Sequence, residues 1–505
     1  MTIQSAYNKL ILKELINKLV LLQFVLCHRI TRGREYQMHS GKFVGRKREL
    51  KKLEELYATN EFQMAVFYGR RRVGKTTLIN EFCKEKRTIF CVGIESTEKE
   101  NLESFSKEIW SSQGQSSMMP PFNDFESLFA YIAKLAEQEQ LIFVIDEYPY
   151  LAEACPAISS ILQACIDRTM KNGKLFLILC GSSMSFMEHQ VLGYKSPLYG
   201  RRTAQFKVLP FDYWESTEML PGFSAKEQAL LYGVTGGIPE YLSRIRQDFS
   251  VEQNLVDLFF ESSGRLFEEP SNLLKQELRN PSTYNAVLTA IAEGHSKLNE
   301  IASTVGIASG GCSNLLTSLS ELGIVTKETP VAESSTKKTI YKIADQMFRF
   351  WYRFVGPNTN TITSGYGEQA FYRLVADQLN DFMGQVFEKM CMDWLMHQQG
   401  EGRLPIFFSQ IGHWWGGNPI TKKQEEIDIM AVEKNAAIFG ECKWRNEAID
   451  KTVLDKMLTR AQMFSYEKQY IYLFSKSGFT KACREQAEKL EHVTLVDFEG
   501  DMVLY

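Results

Sequence analysis

Gly69-Arg70-Arg71-Arg72-Val73-Gly74-Lys75-Thr76 stands directly after an apolar run, 64–70 (MAVFYGR), and directly before a helical run that opens at Thr77. The spacing G-x-x-x-x-G-K-[ST] between a strand and a helix predicts a phosphate-binding loop. Its glycines let the backbone bend around a phosphate while amide N–H groups at the helix start point inward. Lys75 is expected to neutralise the β and γ oxygens of a nucleotide, and the Thr76 hydroxyl to ligate Mg²⁺, so the cofactors read here are ATP and Mg²⁺.

The run 141–147 (LIFVIDE), whose Asp146 lies seventy-one residues beyond Lys75, reads as a buried strand ending in two carboxylates. Asp146 would hold Mg²⁺, and Glu147 would orient and deprotonate an attacking water. That pair suits water activation better than transfer to a small acceptor. Further apolar runs at 88–94, 174–181 and 204–209 complete five strands alternating with helical stretches, the pattern of an α/β domain with a parallel sheet. The strand 174–181 leads into Ser182 and Ser183, where a hydroxyl would sense the γ-phosphate. Arg201 and Arg202 precede the last strand and read either as a surface basic pair or as an arginine offered across a subunit boundary to stabilise charge in phosphoryl transfer, which would make the protein a homo-oligomer.

The chain has 505 residues, 44% hydrophobic and 24% charged, enough for roughly three globular domains. A formal charge of −3 gives no bulk attraction to polyanions, so any nucleic-acid contact must come from a local patch and is expected to be non-specific. Ten cysteines without a C-x-x-C pair read as reduced thiols of a cytoplasmic protein. Residues 10–26 are apolar but broken by Lys13, Glu14, Asn17, Lys18 and Gln23, so no stable membrane span is expected. The segment reads as an amphipathic helix at most, within an extension at 1–40; residues 1–37 either lie upstream of the natural start or form a docking or membrane-surface helix.

The α/β pattern at 41–215 gives way to a helical lid at 216–280, broken at Gly236-Gly237-Ile238-Pro239, and then to a unit at 281–355 whose three helices and hairpin predict a winged helix-turn-helix. Its third helix carries one strong base-reading candidate, Asn314, with Lys327, Lys337 and Lys338 on the wing, which favours backbone contact or an adapter role over sequence reading. The aromatic run 347–354 reads as core packing. A last α/β domain occupies 356–505.

In that last domain, 425–432 (EEIDIMAV) and 436–443 (AAIFGECK) predict a hairpin. Alternation along a strand puts Glu441 and Lys443 on one face and lets Asp428 converge with them. Two carboxylates would hold Mg²⁺ and the lysine would orient a water, the logic of a PD-(D/E)xK nuclease with Ile427 in place of the proline. Glu388 on a preceding helix resembles the extra metal-binding acid of such folds. The segment 413–418 (HWWGGN) reads as a loop over the cleft or a buried turn.

Phe43-Val44-Gly45-Arg46-Lys47-Arg48-Glu49-Leu50, the Gly-Arg-Arg-Arg-Val-Gly-Lys-Thr loop, Ile145-Asp146-Glu147-Tyr148 and Gly236-Gly237-Ile238-Pro239-Glu240-Tyr241-Leu242 together resemble the archaeal-type family of AAA-like P-loop ATPases. The resemblance runs over about 41–355. It implies a P-loop sheet with an additional strand and a catalytic glutamate, and Val44, Gly45 and Arg46 beside the adenine. Thr77 and Pro239 join the nucleotide-contacting set. It also implies a C-terminal domain resembling restriction endonucleases. Ser182 departs from the Asn that relatives often carry as sensor. The function expected is a Mg²⁺-dependent ATPase whose nucleotide state controls a nuclease-like domain acting on nucleic acid; the alternative is an ATP-switched signalling or scaffold protein whose tail only binds.

Overall fold

The computed structural model describes residues 43–115, 119–333, 338–419 and 422–502. The expected N-terminal helix, the 1–40 extension and Lys337 lie outside these residues. Every helix and strand among the described residues lies within the unit Gly45–Tyr505.

Five parallel strands, β1 (Gln63–Tyr68), β2 (Thr88–Val92), β3 (Leu141–Asp146), β4 (Leu175–Gly181) and β5 (Ala204–Lys207), form a sheet in the order β2-β3-β4-β1-β5. Insertion of β4 between β1 and β3 separates the phosphate-loop strand from the Asp146 strand by one strand width on each side. Every residue of β1, β3 and β4 is buried, which is why these strands read as unbroken apolar runs rather than alternating ones. Helices Glu98–Ser112 and Phe125–Leu135, started by capping boxes at Thr97/Glu100 and Asp124/Ser127, pack Phe105, Phe125 and Phe129 onto one face.

Helices Tyr213–Thr217, Ala225–Thr235, Pro239–Leu242, Val251–Phe259 and Glu269–Glu277 come after β5. The predicted break falls at Gly236 and Gly237, both at positive φ (64° and 67°). A Cβ on Gly237 would lie 2.1 Å from Phe211 O, so only glycine fits there. Next come three helices, Pro281–Ala292, Leu298–Val305 and Ser309–Glu321, and an antiparallel pair, β6 (Val325–Glu328) with β7 (Ile340–Ile343). Asn314 and Lys327 are exposed, whereas Lys338 pairs with Glu333. The aromatic run is core: Phe350 stacks edge-on with Phe259 and Phe382, and Tyr352 donates to Asn285 Oδ1 at 2.7 Å.

The C-terminal sheet has the order β12-β11-β10-β9-β8, from β8 (Gln410–Gly417), β9 (Gln424–Val432), β10 (Ala436–Lys443), β11 (Lys468–Ser475) and β12 (Val493–Asp497). β8, β9 and β10 are antiparallel neighbours, and β10, β11 and β12 are parallel. The expected loop or turn at 413–418 is instead mostly strand β8, with a register shift between Gly412 and Trp414. Pairing with β9 overrides the weak strand preference of Gly412, Gly416 and Gly417.

The 22-residue helix Leu379–Gly400 joins this sheet to helix Ala225–Thr235. Gly233 lies against Met383, and His397 Nε2 sits 3.1 Å from Asp212 Oδ2. The Asp212 hydrogen bond raises the His397 pKa above its ordinary 6.5. A raised folded-state pKa stabilises fully below about pH 6.5, and that contribution is lost as pH rises through the elevated value. Thermal midpoints of the native protein are therefore expected to fall above pH 6.5 more steeply than those of His397→Gln, which keeps an N–H donor but does not titrate. Equal slopes would count against the pair.

Candidate functional site

Gly74, at φ 86°, turns the chain into helix Lys75–Cys83, and Pro239 Cγ lies 3.9 Å from where a Gly74 Cβ would stand. A Cβ on Gly69 would meet Val208 O at 2.3 Å. The loop thus needs glycine at Gly69 for close backbone approach and at Gly74 for its positive φ. Buried Lys75 donates to Gly69 O (2.8 Å) and Arg70 O (2.9 Å), and burial lowers its pKa. Thr76 Oγ1 donates to Asp146 Oδ2 at 2.8 Å, so the loop and the β3 terminus meet as expected. This all-oxygen pair suits a hard divalent cation.

Glu147 differs from its expected place. β3 ends at Asp146, and Glu147 adopts φ 47° at the start of helix Tyr148–Ala154, with its amide on Asp146 Oδ1 (2.9 Å). The turn swings its carboxylate to Ser182, whose Oγ donates to Glu147 Oε2 at 2.9 Å. The expected sensor hydroxyl therefore holds the expected base.

Arg46 donates through Nη2 to Val73 O (3.1 Å) and to Leu209 O, and its guanidinium lies over the Phe211 ring at 4.7 Å. Its backbone amide donates to Glu215 Oε1 at 3.0 Å, and burial pulls its side-chain pKa down. It braces the phosphate loop from the side. Each loop arginine meets an acid far along the chain: Arg70 pairs with Asp345, Arg71 with Glu277 (2.7 Å) and the Tyr150 hydroxyl (3.0 Å), and Arg72 with Glu269. Arg201 is engaged by Asp167 at 2.5 Å, which pulls that carboxyl down to about 2, and Arg202 donates to Leu192 O at 3.1 Å. Arg201 would have to leave Asp167 to act on a neighbouring subunit.

In the C-terminal sheet the β9–β10 ladder runs as far as Gly440 opposite Ile429, and beyond it Cys442 N donates to Asp428 Oδ2 at 2.8 Å. Lys443 Nζ lies 3.5 Å from Asp428 Oδ2 and 2.8 Å from Glu441 Oε1, so the three side chains converge as expected. Glu388 approaches from helix Leu379–Gly400; burial and the Asp428 charge push its pKa up to about 7. His413, at the β8 irregularity, stands 3.8 Å from Glu388. Arg460, on helix Lys451–Ala461, bridges Glu441 (2.9 Å) and Glu425 (3.0 Å), a role the sequence does not signal. Its partners lie 19 and 35 residues away, with no local spacing to announce them. Among the described residues, no group of three or more His, Cys, Asp or Glu side chains is arranged to hold a metal ion. The donor chemistry at Asp428 and Glu441 is nevertheless that of a hard cation, with the Lys443 ammonium between them.

Arg460→Met would strand two partly buried carboxylates and is expected to cost about 3–5 kcal/mol. Denaturant unfolding should recover part of that loss in Arg460→Met/Glu425→Gln, and a loss below about 1 kcal/mol would show the bridge to be incidental.

A glycine-bounded loop between strand and helix, with a buried lysine and a threonine that donates to the aspartate ending β3, defines a P-loop ATPase. The chain carries an archaeal-type ATPase domain: residues 43–245 match the family described as an ATPase domain predominantly from Archaea. Residues 351–456 match a second family, described as archaeal and bacterial proteins of unknown function. The uncharacterized protein MJECL04 of Methanocaldococcus jannaschii is 34% identical over 411 residues, covering 80% of this chain and 88% of that one. The uncharacterized ATP-binding protein MJ0423 of the same organism is 47% identical over 53 residues, 10% of this chain and 90% of that one. Among solved structures, the Walker-type ATPase PABY2304 of Pyrococcus abyssi is similar at TM-score 0.48 and 21% identity, covering 62% of this chain and 96% of that one. No helix among the described residues is long and apolar enough to cross a membrane.

Proposed function

We propose that this ATPase binds ATP with Mg²⁺ at the Gly69–Thr76 loop, hydrolyses it, and uses its nucleotide state to control a nuclease-like C-terminal domain acting non-specifically on nucleic acid. The observation that carries the nuclease part is the convergence of Asp428, Glu441 and Lys443 at the end of the β9–β10 hairpin. In the ATPase site, Thr76 and Asp146 would hold Mg²⁺, Gly45, Arg46 and Pro239 would flank the nucleotide, and Glu147 would take the proton of the attacking water. At the C-terminal site, Asp428 and Glu441 would hold a divalent cation, which when bound supplies charge neutralisation at a scissile phosphate and a more acidic water. Lys443 would orient that water. The three helices Pro281–Ala292, Leu298–Val305 and Ser309–Glu321 with the β6–β7 pair support a winged-helix reading, and the exposed Asn314 and Lys327 support backbone contact with nucleic acid.

A second reading, an ATP-switched scaffold with a binding tail, is favoured by the lack of a gathered metal-ligand set among the described residues. Incubating the full chain with generic DNA and RNA in Mg²⁺ or Mn²⁺, with and without ATP, separates the two. Cleavage that responds to ATP is the expected result. Intact substrates beside measurable ATP turnover would leave the scaffold reading in place.

A further inference from the structure

Arg70 has two attachments that no phosphate-binding role requires. Its carbonyl accepts from Lys75 Nζ, and its guanidinium, largely buried, pairs with Asp345. Asp345 is itself buried and accepts from Phe348 N at 3.0 Å, starting helix Gln346–Phe350. From that helix Arg349 reaches helix Leu379–Gly400, donating to Phe382 O at 3.0 Å and Gln385 Oε1 at 2.8 Å, while the Phe350 and Phe382 rings sit 5.5 Å apart. Glu388 lies about one helical turn beyond Gln385 on the same helix. A set of polar and packed contacts therefore runs from the lysine of the phosphate loop to helix Leu379–Gly400, which carries Glu388.

We propose that the Arg70–Asp345 pair is the coupling element through which nucleotide occupancy reaches the C-terminal cluster. The inference rests on the reading of the loop as an ATP site and of the cluster as what ATP controls. Lys75 spends donors on Gly69 O and Arg70 O within the loop. Phosphate oxygens compete for those donors, and release of the Arg70 carbonyl shifts the residue whose other end holds Asp345. Arg71–Glu277 and Arg72–Glu269 tie the same loop to the two ends of one lid helix, so lid and linker respond together. Linkage makes the effect reciprocal: whatever the pair does to ATP affinity, ATP does to the pair.

Asp345→Asn tests this cleanly, because asparagine keeps the helix cap and removes the charge. The double variant Arg70→Gln/Asp345→Asn removes the buried cation as well and guards against a folding defect. Binding of a fluorescent ATP analogue with Mg²⁺ and hydrogen exchange of segments 346–355 and 379–390 are measured in each protein. In the native chain ATP is expected to change exchange in both segments. In both variants the response at 379–390 should vanish, with ATP affinity altered by about fivefold or more. Lys75→Ala serves as the control without nucleotide. A native chain that binds ATP but stays silent at 379–390, or variants that still respond there, overturns the coupling alone. A native chain that binds no ATP overturns the coupling together with the ATP-site reading. A response at 379–390 without cleavage of any nucleic acid supports the coupling and sinks only the nuclease reading.

Discussion

Glu147→Gln is expected to bind ATP as the native protein does and to turn it over about 10²–10⁴ times more slowly, the usual contribution of a positioned general base. The geometry makes the expectation sharp. Glu147 leaves β3 at φ 47°, a conformation that costs a non-glycine residue energy and is kept where function needs it. Its carboxylate is held by Ser182 Oγ at 2.9 Å, and its amide by Asp146. Glutamine preserves the size and one acceptor oxygen, so Thr76–Asp146 and the loop should stand unchanged. Steady-state hydrolysis beside direct nucleotide binding gives the answer. Undiminished turnover would transfer the base role elsewhere.

Asp428→Asn is the second large effect: cleavage should fall about a thousandfold, the order expected when several kcal/mol of charge stabilisation is lost, while ATP hydrolysis persists. Asn retains an oxygen for the Cys442 amide, which sits 2.8 Å from the native carboxylate, so the hairpin should survive. Lys443→Ala is expected to act in the same direction without disturbing that amide contact. Initial rates on a labelled DNA or RNA substrate decide it. Equal cleavage by Asp428→Asn and the native chain would remove the nuclease assignment.

Strands β1, β3 and β4 are buried on both faces, so their composition alone announces them, and the loop at Gly69–Thr76 is legible because it is local in sequence. The convergence of Asp428, Glu441 and Lys443 is readable for a different reason, the period of two in strand alternation. Glu147 reads as the end of a strand because periodicity carries no signal for a left-handed turn. Strand β8 is hidden by its glycines, which only pairing with β9 makes extended. The acids that hold Arg70, Arg71 and Arg72 lie roughly two hundred residues or more away, and charge pairs at that separation leave no spacing to detect.

The closing turn of the chain, at 498–502, bears on how this protein could be dissected. Phe498 packs on Tyr213 and Trp444, Glu499 pairs with Lys226 at 2.7 Å, and Met502 O accepts from Trp214 Nε1 at 2.8 Å. A truncation at 356 would remove this turn and helix Leu379–Gly400 and bare Tyr213, Trp214 and Gly233 to water, trading a packed seam for a sticky one. Fragments cut at that boundary would report the behaviour of a wounded surface, so the ATPase half is best silenced by point substitution within the intact polypeptide.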